Sequence, residues 1–277
     1  MTALDTVAAL LACPECGAAL HQRDTALRCA TGHSFDIARQ GYVGLLTGAS
    51  TKMTGDTAAM LDARAAFQGA GHYAPIATAT ADGLAPADDV VLEIGAGTGY
   101  YLASVLDARP DSFGIALDVS KPAARRAARA HPRMASILAD AWRGLPVRDH
   151  CLTGVLSVFA PRNPAEIARV LAPGGRFVVV TPTDRHLGEL IGPLGMVRVD
   201  PDKDRRLADS LAGTFTRTEH TLVEFPMKLT RADVTNVVAM GPSAFHGTPA
   251  DDPRIAALPD ITEVTASVTV SVYAPNS

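Results

Sequence analysis

The 277-residue chain has no run of about twenty apolar residues, which is what a membrane-spanning helix needs. Its opening stretch, Met1 to Ala12, lacks the basic start and small-residue cleavage site of a secretory leader. A cytoplasmic protein with no membrane partner is therefore expected. Positive charge is also short: 25 Lys and Arg stand against 29 Asp and Glu, for a net charge of -4. The totals thus give no sign of the basic surface with which proteins usually grip a nucleic-acid backbone. Cysteine is scarce, with four residues in all, Cys13, Cys16, Cys29 and Cys151. In a reducing compartment a clustered set is better suited to a metal than to disulfides, and three of the four are clustered. Repeats and low-complexity tracts are missing too. What remains, 47% hydrophobic and 19% charged residues, is the composition of a globular protein with room for one large core and a small satellite.

The satellite lies at the N-terminus. Cys13-Pro14-Glu15-Cys16 and Cys29-Ala30-Thr31-Gly32-His33 form a C-x2-C pair and a C-x3-H pair separated by twelve residues. Two short chelating turns offering three thiolates and one imidazole fit a closed, tetrahedral, structural zinc site. Four protein ligands leave no open position for water or substrate, so a catalytic zinc is not expected. A module this small cannot bury enough apolar surface to fold alone, and the metal would supply much of its stability. Cys151 stands apart and reads as a small hydrophobe at a strand edge.

From Thr51 to about Leu84 the Ala-rich text predicts one or two helices. From Asp89 short apolar runs alternate with helical text: Val90 to Ile94, Phe113 to Val119, Ser136 to Ala139, Thr153 to Phe159 and Arg176 to Thr181. Five such runs predict a parallel sheet with crossover helices. A helix near His186 to Leu190, a less regular stretch through Arg206, and a helix from Arg231 to Met240 are expected after them. Two late β runs, Thr216 to Phe225 and Glu263 to Tyr273, suit an antiparallel edge.

The run Val90-Val91-Leu92-Glu93-Ile94-Gly95-Ala96-Gly97-Thr98-Gly99-Tyr100 is a buried strand, an acid, three alternate glycines and a helix start. It is not the dinucleotide pattern, because the third glycine falls one position early and Tyr100 stands where that pattern needs glycine. E-x-G-x-G-x-G instead resembles motif I of the class I (Rossmann-like) methyltransferases, where the loop underlies the amino-acid and ribose part of S-adenosylmethionine. Asp118, at the end of the next strand, is placed to accept the ribose hydroxyls. Asp140, after the third strand, stands where this fold contacts adenine. The fold class expected is α/β, a mostly parallel seven-stranded sheet with a small N-terminal zinc-binding module.

The whole chain is similar to the large-subunit ribosomal-RNA guanine-N1 methyltransferases, the family that includes the tylosin- and mycinamicin-resistance enzymes. The likeness runs through His33-Ser34-Phe35-Asp36-Ile37-Ala38-Arg39-Gln40-Gly41-Tyr42-Val43-Gly44-Leu45-Leu46, Gly55-Asp56 and Arg64-Ala65-Ala66-Phe67-Gln68-Gly69-Ala70-Gly71-His72-Tyr73. It continues in Phe159-Ala160-Pro161, Thr181-Pro182, Arg185-His186-Leu187 and Met240-Gly241-Pro242. The resemblance implies zinc ligands Cys13, Cys16, Cys29 and His33. It implies cofactor contacts from Tyr73, from Gly97 and Thr98 in the glycine loop, and from His186; Glu93, Gly95, Gly99, Asp118 and Asp140 join them from motif position. The substrate implied is a guanine in a stem-loop of 23S rRNA, with a contribution to macrolide resistance. The domains expected are 1–47, a zinc-binding module for RNA recognition, 48–85, a helical linker completing the cofactor site, and 86–277, the methyltransferase domain.

Guanine N1 lies on the Watson–Crick edge and carries a proton, so the target must be unpaired or extruded, and the proton must leave. The segment after the fourth strand, Ser157-Val158-Phe159-Ala160-Pro161-Arg162-Asn163, contains no carboxylate. His186, Asp184 or solvent stand as alternatives for the base. Phe159 would stack on the base or fill the core, and Arg162 would hold O6 or a phosphate or be a solvated cation. Residues 1–85 hold five Lys or Arg against seven Asp or Glu. The module is therefore no basic clamp, and a homodimer would pool two modest surfaces. The denser run Lys121, Arg125, Arg126, Arg129 and Arg133 reads more readily as a solvated helix face than as a phosphate track. Two other functions compete: a methyltransferase of small biosynthetic molecules, and a non-catalytic zinc-dependent RNA-binding protein.

Overall fold

The computed structural model describes residues 2–47, 51, 53–85, 89–200, 202–241 and 252–276. The domain edges expected at 47/48 and 85/86, and Pro242 of the Met240-Gly241-Pro242 segment, border on or fall outside these residues. A short helix α1 (Ala3–Val7), held by a Thr2/Asp5 capping box, leads into a three-stranded antiparallel ribbon of β1 (Leu20–Arg23), β2 (Ala26–Cys29) and β3 (Ser34–Asp36). Next come β4 (Tyr42–Gly44) and two helices, α2 (Ala58–Gly69), capped by Thr57, and α3 (Ala74–Asp82), opened by Pro75.

The β/α alternation then unfolds as expected: β5 (Val90–Ile94), α4 (Tyr100–Ala108), β6 (Phe113–Asp118), α5 (Lys121–Ala127), β7 (Met134–Leu138), β8 (Leu152–Val158), α6 (Pro164–Val170) and β9 (Leu171–Pro182). The chain closes through α7 (Gly188–Leu194), α8 (Lys203–Leu211), β10 (Phe215–Thr230), α9 (Arg231–Ala239), α10 (Pro253–Ala256) and β11 (Ile261–Pro275). The sheet order is β10-β11-β9-β8-β5-β6-β7-β4, with β10 and β11 antiparallel and the rest parallel. Strands β5 to β9 are buried on both faces, which is why they read as unbroken apolar runs. β10 at the edge is largely exposed and carries Arg217, Glu219, Glu224 and Lys228, charges that discourage edge pairing with another chain.

The seven strands anticipated from Val90 onward are all present. The eighth, β4, comes from the N-terminal segment and pairs parallel to β7, Tyr42 with Ser136 and Gly44 with Leu138. Three residues are too few to show a period, so the pattern gave no sign of it. The stretch expected to be irregular holds α8, whose Leu207 and Leu211 are buried while its other residues are polar or small. α7 begins at Gly188, so His186 sits on the turn before it rather than in the helix.

Two apolar layers flank the sheet. On one, α3, α4 and α9 cover Val91, Leu156, Val178 and Val268. On the other, Leu4, Val7, Leu11, Leu20 and Leu27 of the N-terminal segment share a core with Ile115, Leu117 and Ile137. Each fully buried leucine contributes about 1.5–3 kcal/mol, so the ribbon is seated on the sheet and not merely tethered to it. Because β5 to β7 run outward one way and β8, β9 the other, chain order reverses between β5 and β8. The carboxyl ends of a parallel sheet open a crevice at such a reversal.

Candidate active site and metal centre

In the ribbon, Gly17 (φ 72°) and Gly32 (φ 95°) take the left-handed conformation that closes each chelating turn. The Gly17 amide donates to Cys13 O at 2.7 Å and the Gly32 amide to Cys29 O at 3.1 Å. The ligand atoms of Cys13, Cys16, Cys29 and His33 all lie within 4.8 Å of one another. Cys16 Sγ is 3.8 Å from Cys29 Sγ, and His33 Nδ1 is 3.5 Å and 3.4 Å from the Cys13 and Cys29 sulfurs. With Zn–S bonds of about 2.3 Å and Zn–N of about 2.1 Å, a tetrahedron has edges of roughly 3.5–3.8 Å, so the donor set fits the ion. Thr31 Oγ1 stands 3.0 Å from Cys29 Sγ and 3.1 Å from Cys16 Sγ, where a hydroxyl steadies thiolates. It pulls the Cys29 thiol down to about 6, while burial pushes Cys13 up.

The crevice at the strand reversal is a cavity of about 730 Å³. Its floor is the glycine loop. Gly95, Gly97 and Gly99 all have positive φ, and a β-carbon on Gly95 would meet that of Ala160 at 2.7 Å. Gly99 is the N-cap of α4. Asp118 ties the loop to the next strand: Oδ2 accepts from the Gly97 amide and Oδ1 from the Ser120 amide, each at 2.8 Å. Each oxygen keeps lone-pair capacity for a further donor. Burial raises the Asp118 carboxyl despite these bonds. Asp140 Oδ1 accepts from the Trp142 amide at 3.0 Å and Oδ2 from Thr51 Oγ1 at 2.7 Å. Glu93 is buried on β5, its Oε2 accepting from the Leu102 amide at 3.1 Å, and burial pushes its carboxyl up to about 8.

One wall is a face of α2. Met60, Arg64 and Gln68 recur every fourth residue and all line the cavity. Gln68 Oε1 accepts from Thr98 Oγ1 at 2.6 Å; Arg64 pairs with Asp56 at 2.5 Å and donates to Met240 O. These residues, with Tyr101, were not singled out from sequence as site residues. The signal for Arg64 and Gln68 is their polar i, i+4 spacing on an otherwise Ala-rich helix; Met60 and Tyr101, on α2 and α4, carry no such mark.

A further part of the lining is aromatic. His186 Nδ1 accepts from the Ser267 amide at 3.2 Å, and its Nε2 lies 3.1 Å from Tyr73 Oη. A backbone amide can only donate, so the hydrogen-bond network assigns the imidazole proton to Nε2, which donates to Tyr73. Burial, with Lys203 nearby, pulls His186 down to about 4, so the ring is neutral at physiological pH. The Tyr73 hydroxyl, accepting from His186, keeps its own proton for the cavity. The Phe159 ring lies 6.2 Å from that of Tyr73, 5.9 Å from His186 and 6.4 Å from Tyr101, and its backbone is left-handed (φ 54°). A left-handed conformation for an aromatic residue costs of order 1–2 kcal/mol and holds this ring exposed in the crevice.

Of the other residues singled out from sequence, Asp184 is exposed, and neither it nor Arg162 is among the cavity-lining residues. Arg162 is largely buried, one nitrogen donating to Ala160 O and the other without a partner. On the basic run, Arg126 pairs with Asp62 and Arg133 donates to the carbonyls of Leu106, Arg109 and Ser112. Two of its five cations are thus committed within the fold. Among the described residues no helix is long and apolar enough to cross a membrane.

Residues 11–50 match the zinc-ribbon family described as "RlmA, N-terminal", and residues 91–175 match a methyltransferase-domain family. A methyltransferase chain solved in a Haloferax volcanii complex with a methyltransferase activator superposes with a TM-score of 0.51 at 17% identity, covering 81% of this chain and 100% of that one. Ribbon and sheet together define the class, an S-adenosylmethionine-dependent class I methyltransferase with a structural zinc. The chain is 50% identical to a 23S rRNA (guanine-N1)-methyltransferase of Micromonospora griseorubida, over 96% of this chain and 97% of that one. It is 49% identical to the 23S rRNA (guanine(748)-N1)-methyltransferase of Streptomyces fradiae, over 96% of each. It belongs to the family of 23S rRNA (guanine-N1)-methyltransferases.

Proposed function

We propose that the protein methylates N1 of an unpaired guanine in a stem-loop of 23S rRNA, the counterpart of the guanine named for the Streptomyces fradiae relative, and so contributes to macrolide resistance. The observation that carries the reading is the mouth of the cavity. Of the six large apolar side chains exposed among the described residues, four (Met53, Trp142, Phe159 and Val197) line it. Exposed rings around a deep cleft suit a base taken out of its stack. The three segments 1–47, 48–85 and 86–277 serve as RNA-recognition ribbon, helical wall and catalytic domain in this reading.

Cys13, Cys16, Cys29 and His33 hold the zinc. S-adenosylmethionine, when bound, supplies an electrophilic methyl on a sulfonium. Gly95, Gly97, Thr98 and Gly99 would form its backbone cradle, Asp118 would accept from its ribose, Asp140 would border its adenine, and Glu93 would meet its positive methionine end. Tyr73 directs its hydroxyl proton into the cavity, and His186 fixes that direction. With one imidazole nitrogen protonated and the other bonded to Ser267, His186 is not the base. Asp184 is exposed and outside the cavity lining, so of the three alternatives water at the open mouth is the acceptor of the N1 proton in this reading. Phe159 stacks on the guanine, and the protein's main catalytic contribution is to hold N1 in line with the methyl.

Transfer of labelled methyl to unmodified 23S rRNA, with the site mapped by a primer-extension stop, tests the function. Transfer to a small molecule and none to RNA would overturn it. Tyr73→Phe keeps the ring and removes the donor; a loss of about 1–2 kcal/mol, roughly tenfold in kcat/KM, is expected. His186→Gln is expected to lower the rate similarly and leave the pH dependence of kcat unchanged. Disappearance of a pH limb in that variant would instead restore His186 as the base.

A further inference from the structure

The charges around the cavity are sorted by chain segment. One group is Glu93, Asp118, Asp140 and Asp56, with Arg64 as the cation, already paired to Asp56. A second group comes from residues 196–200 and the first turn of α8, which bring Arg198, Lys203 and Arg206 to the cavity with Asp200. The acids of this segment are committed: Asp200 pairs with Arg206, Asp202 with Arg205 and Asp204 with Arg217. The side chains of Arg198 and Lys203 have no hydrogen-bond or ion-pair partner among the described residues. Lys203 is half-buried at the first turn of a nine-residue helix, near Arg162, whose unpartnered nitrogen is buried. Lys203 has the cations Arg162 and Arg206 as its charged neighbours, Arg198 lines the same cavity without an acid of its own, and a half-buried ammonium among cations is unfavourable unless an anion joins it; the N-terminal dipole of α8 favours an anion in the same place. In a chain of net charge -4 this is a local exception to the balance.

We propose that Arg198 and Lys203 form a phosphate subsite that grips the backbone of the RNA strand whose base enters the cavity. The inference rests on the RNA-methylation reading above. It explains how an acidic protein engages RNA: the unpaired cations come from the segment around α8, and the acids that suit a cationic cofactor come from the glycine loop and the strands beside it, so different elements serve the two ligands. Val197, exposed beside Arg198, would lie against the sugar or the neighbouring base.

The test uses the full zinc-loaded protein and unmodified 23S rRNA. In Arg198→Ala/Lys203→Ala, KM for the rRNA is expected to rise about tenfold or more at 0.15 M salt, with the dissociation constant for S-adenosylmethionine unchanged. Two lost phosphate contacts should also reduce the slope of log affinity against log salt by about 1.5. Lys203→Arg should restore most of the loss, and Lys203→Glu should exceed the alanine effect. The Arg198→Ala single variant, at an exposed position, reports the slope change even if the double variant unfolds. A KM and salt slope matching the wild type would overturn the subsite while leaving the function intact. A weakened cofactor affinity would reassign these cations to the methionine carboxylate. Failure of the wild type itself to methylate rRNA would instead remove the functional reading, and the subsite with it.

Discussion

Cys29→Ser, or removal of zinc by a strong chelator, is expected to unfold residues 2–47 and to lower the melting temperature of the whole chain by about 10 °C or more. The ribbon strands are four, four and three residues long. Sheets this small are marginal without a further constraint, whereas structural zinc contributes apparent binding energies of about 10–16 kcal/mol in small modules. The loss does not stay local, because α1 and Leu11, Leu20 and Leu27 cover one face of the parallel sheet and β4 extends its edge. The Leu45 amide donates to Leu138 O at 2.9 Å, and Thr51 holds Asp140, which lines the cavity. Exposing several buried leucines costs several kcal/mol, and each kcal/mol shifts the melting temperature of a chain this size by about 2–4 °C. Calorimetry with metal analysis checks this: one zinc per chain should be lost together with the shift. An unchanged melting temperature in metal-free protein would mean that the ribbon folds on its apolar contacts alone. Cys151→Ser, away from the cluster, is the control.

The parts of the site that could be read from sequence are those made within one short segment. The zinc ligands lie on two turns whose spacing is the chemistry, and Glu93, the three glycines and Asp118 follow one another along a strand, a loop and the next strand. The parts that local pattern does not show are made across the fold; Tyr73 and His186 entered only through the family resemblance. Tyr73, His186 and Ser267 form one hydrogen-bonded chain although 113 residues separate the first two and 81 the last two. Nothing in their neighbourhoods marks Ser267, whose amide decides which imidazole nitrogen carries the proton. The α2 wall was visible as helix, but its role depends on where that helix docks. Likewise Arg198 and Lys203 are ordinary cations in the text; they become distinctive only when every nearby acid is seen to be paired elsewhere. Total charge concealed this, because it averages over acids and cations that different segments bring to one cavity.

Glu93→Gln is expected to move stability and cofactor affinity in opposite directions. In the folded chain burial holds the Glu93 carboxyl at about 8, against an ordinary value of 4.5. Between those values the folded protein keeps a proton that the unfolded chain has released. Stability is therefore full below pH 4.5 and falls as pH rises towards 8, by an amount of order 5 kcal/mol once the shift is complete. Glutamine retains an oxygen for the Leu102 amide and cannot ionise, so the ligand-free variant should match the wild type near pH 4.5 and exceed its stability by several kcal/mol at pH 8. The carboxylate has a use that offsets this cost if it faces the positive end of S-adenosylmethionine. A buried charge-assisted contact contributes about 1.5–3 kcal/mol, so the variant should bind the cofactor roughly 10–100-fold more weakly. Binding to the wild type at pH 7 should also release part of a proton, seen by titration calorimetry in buffers of different ionisation enthalpy, and the variant should release less. A variant less stable than the wild type at pH 8 would make Glu93 a structural anchor of α4. A more stable variant with undiminished affinity would show that the cofactor's charge is met elsewhere, with Asp118 as the next acid in reach of the loop.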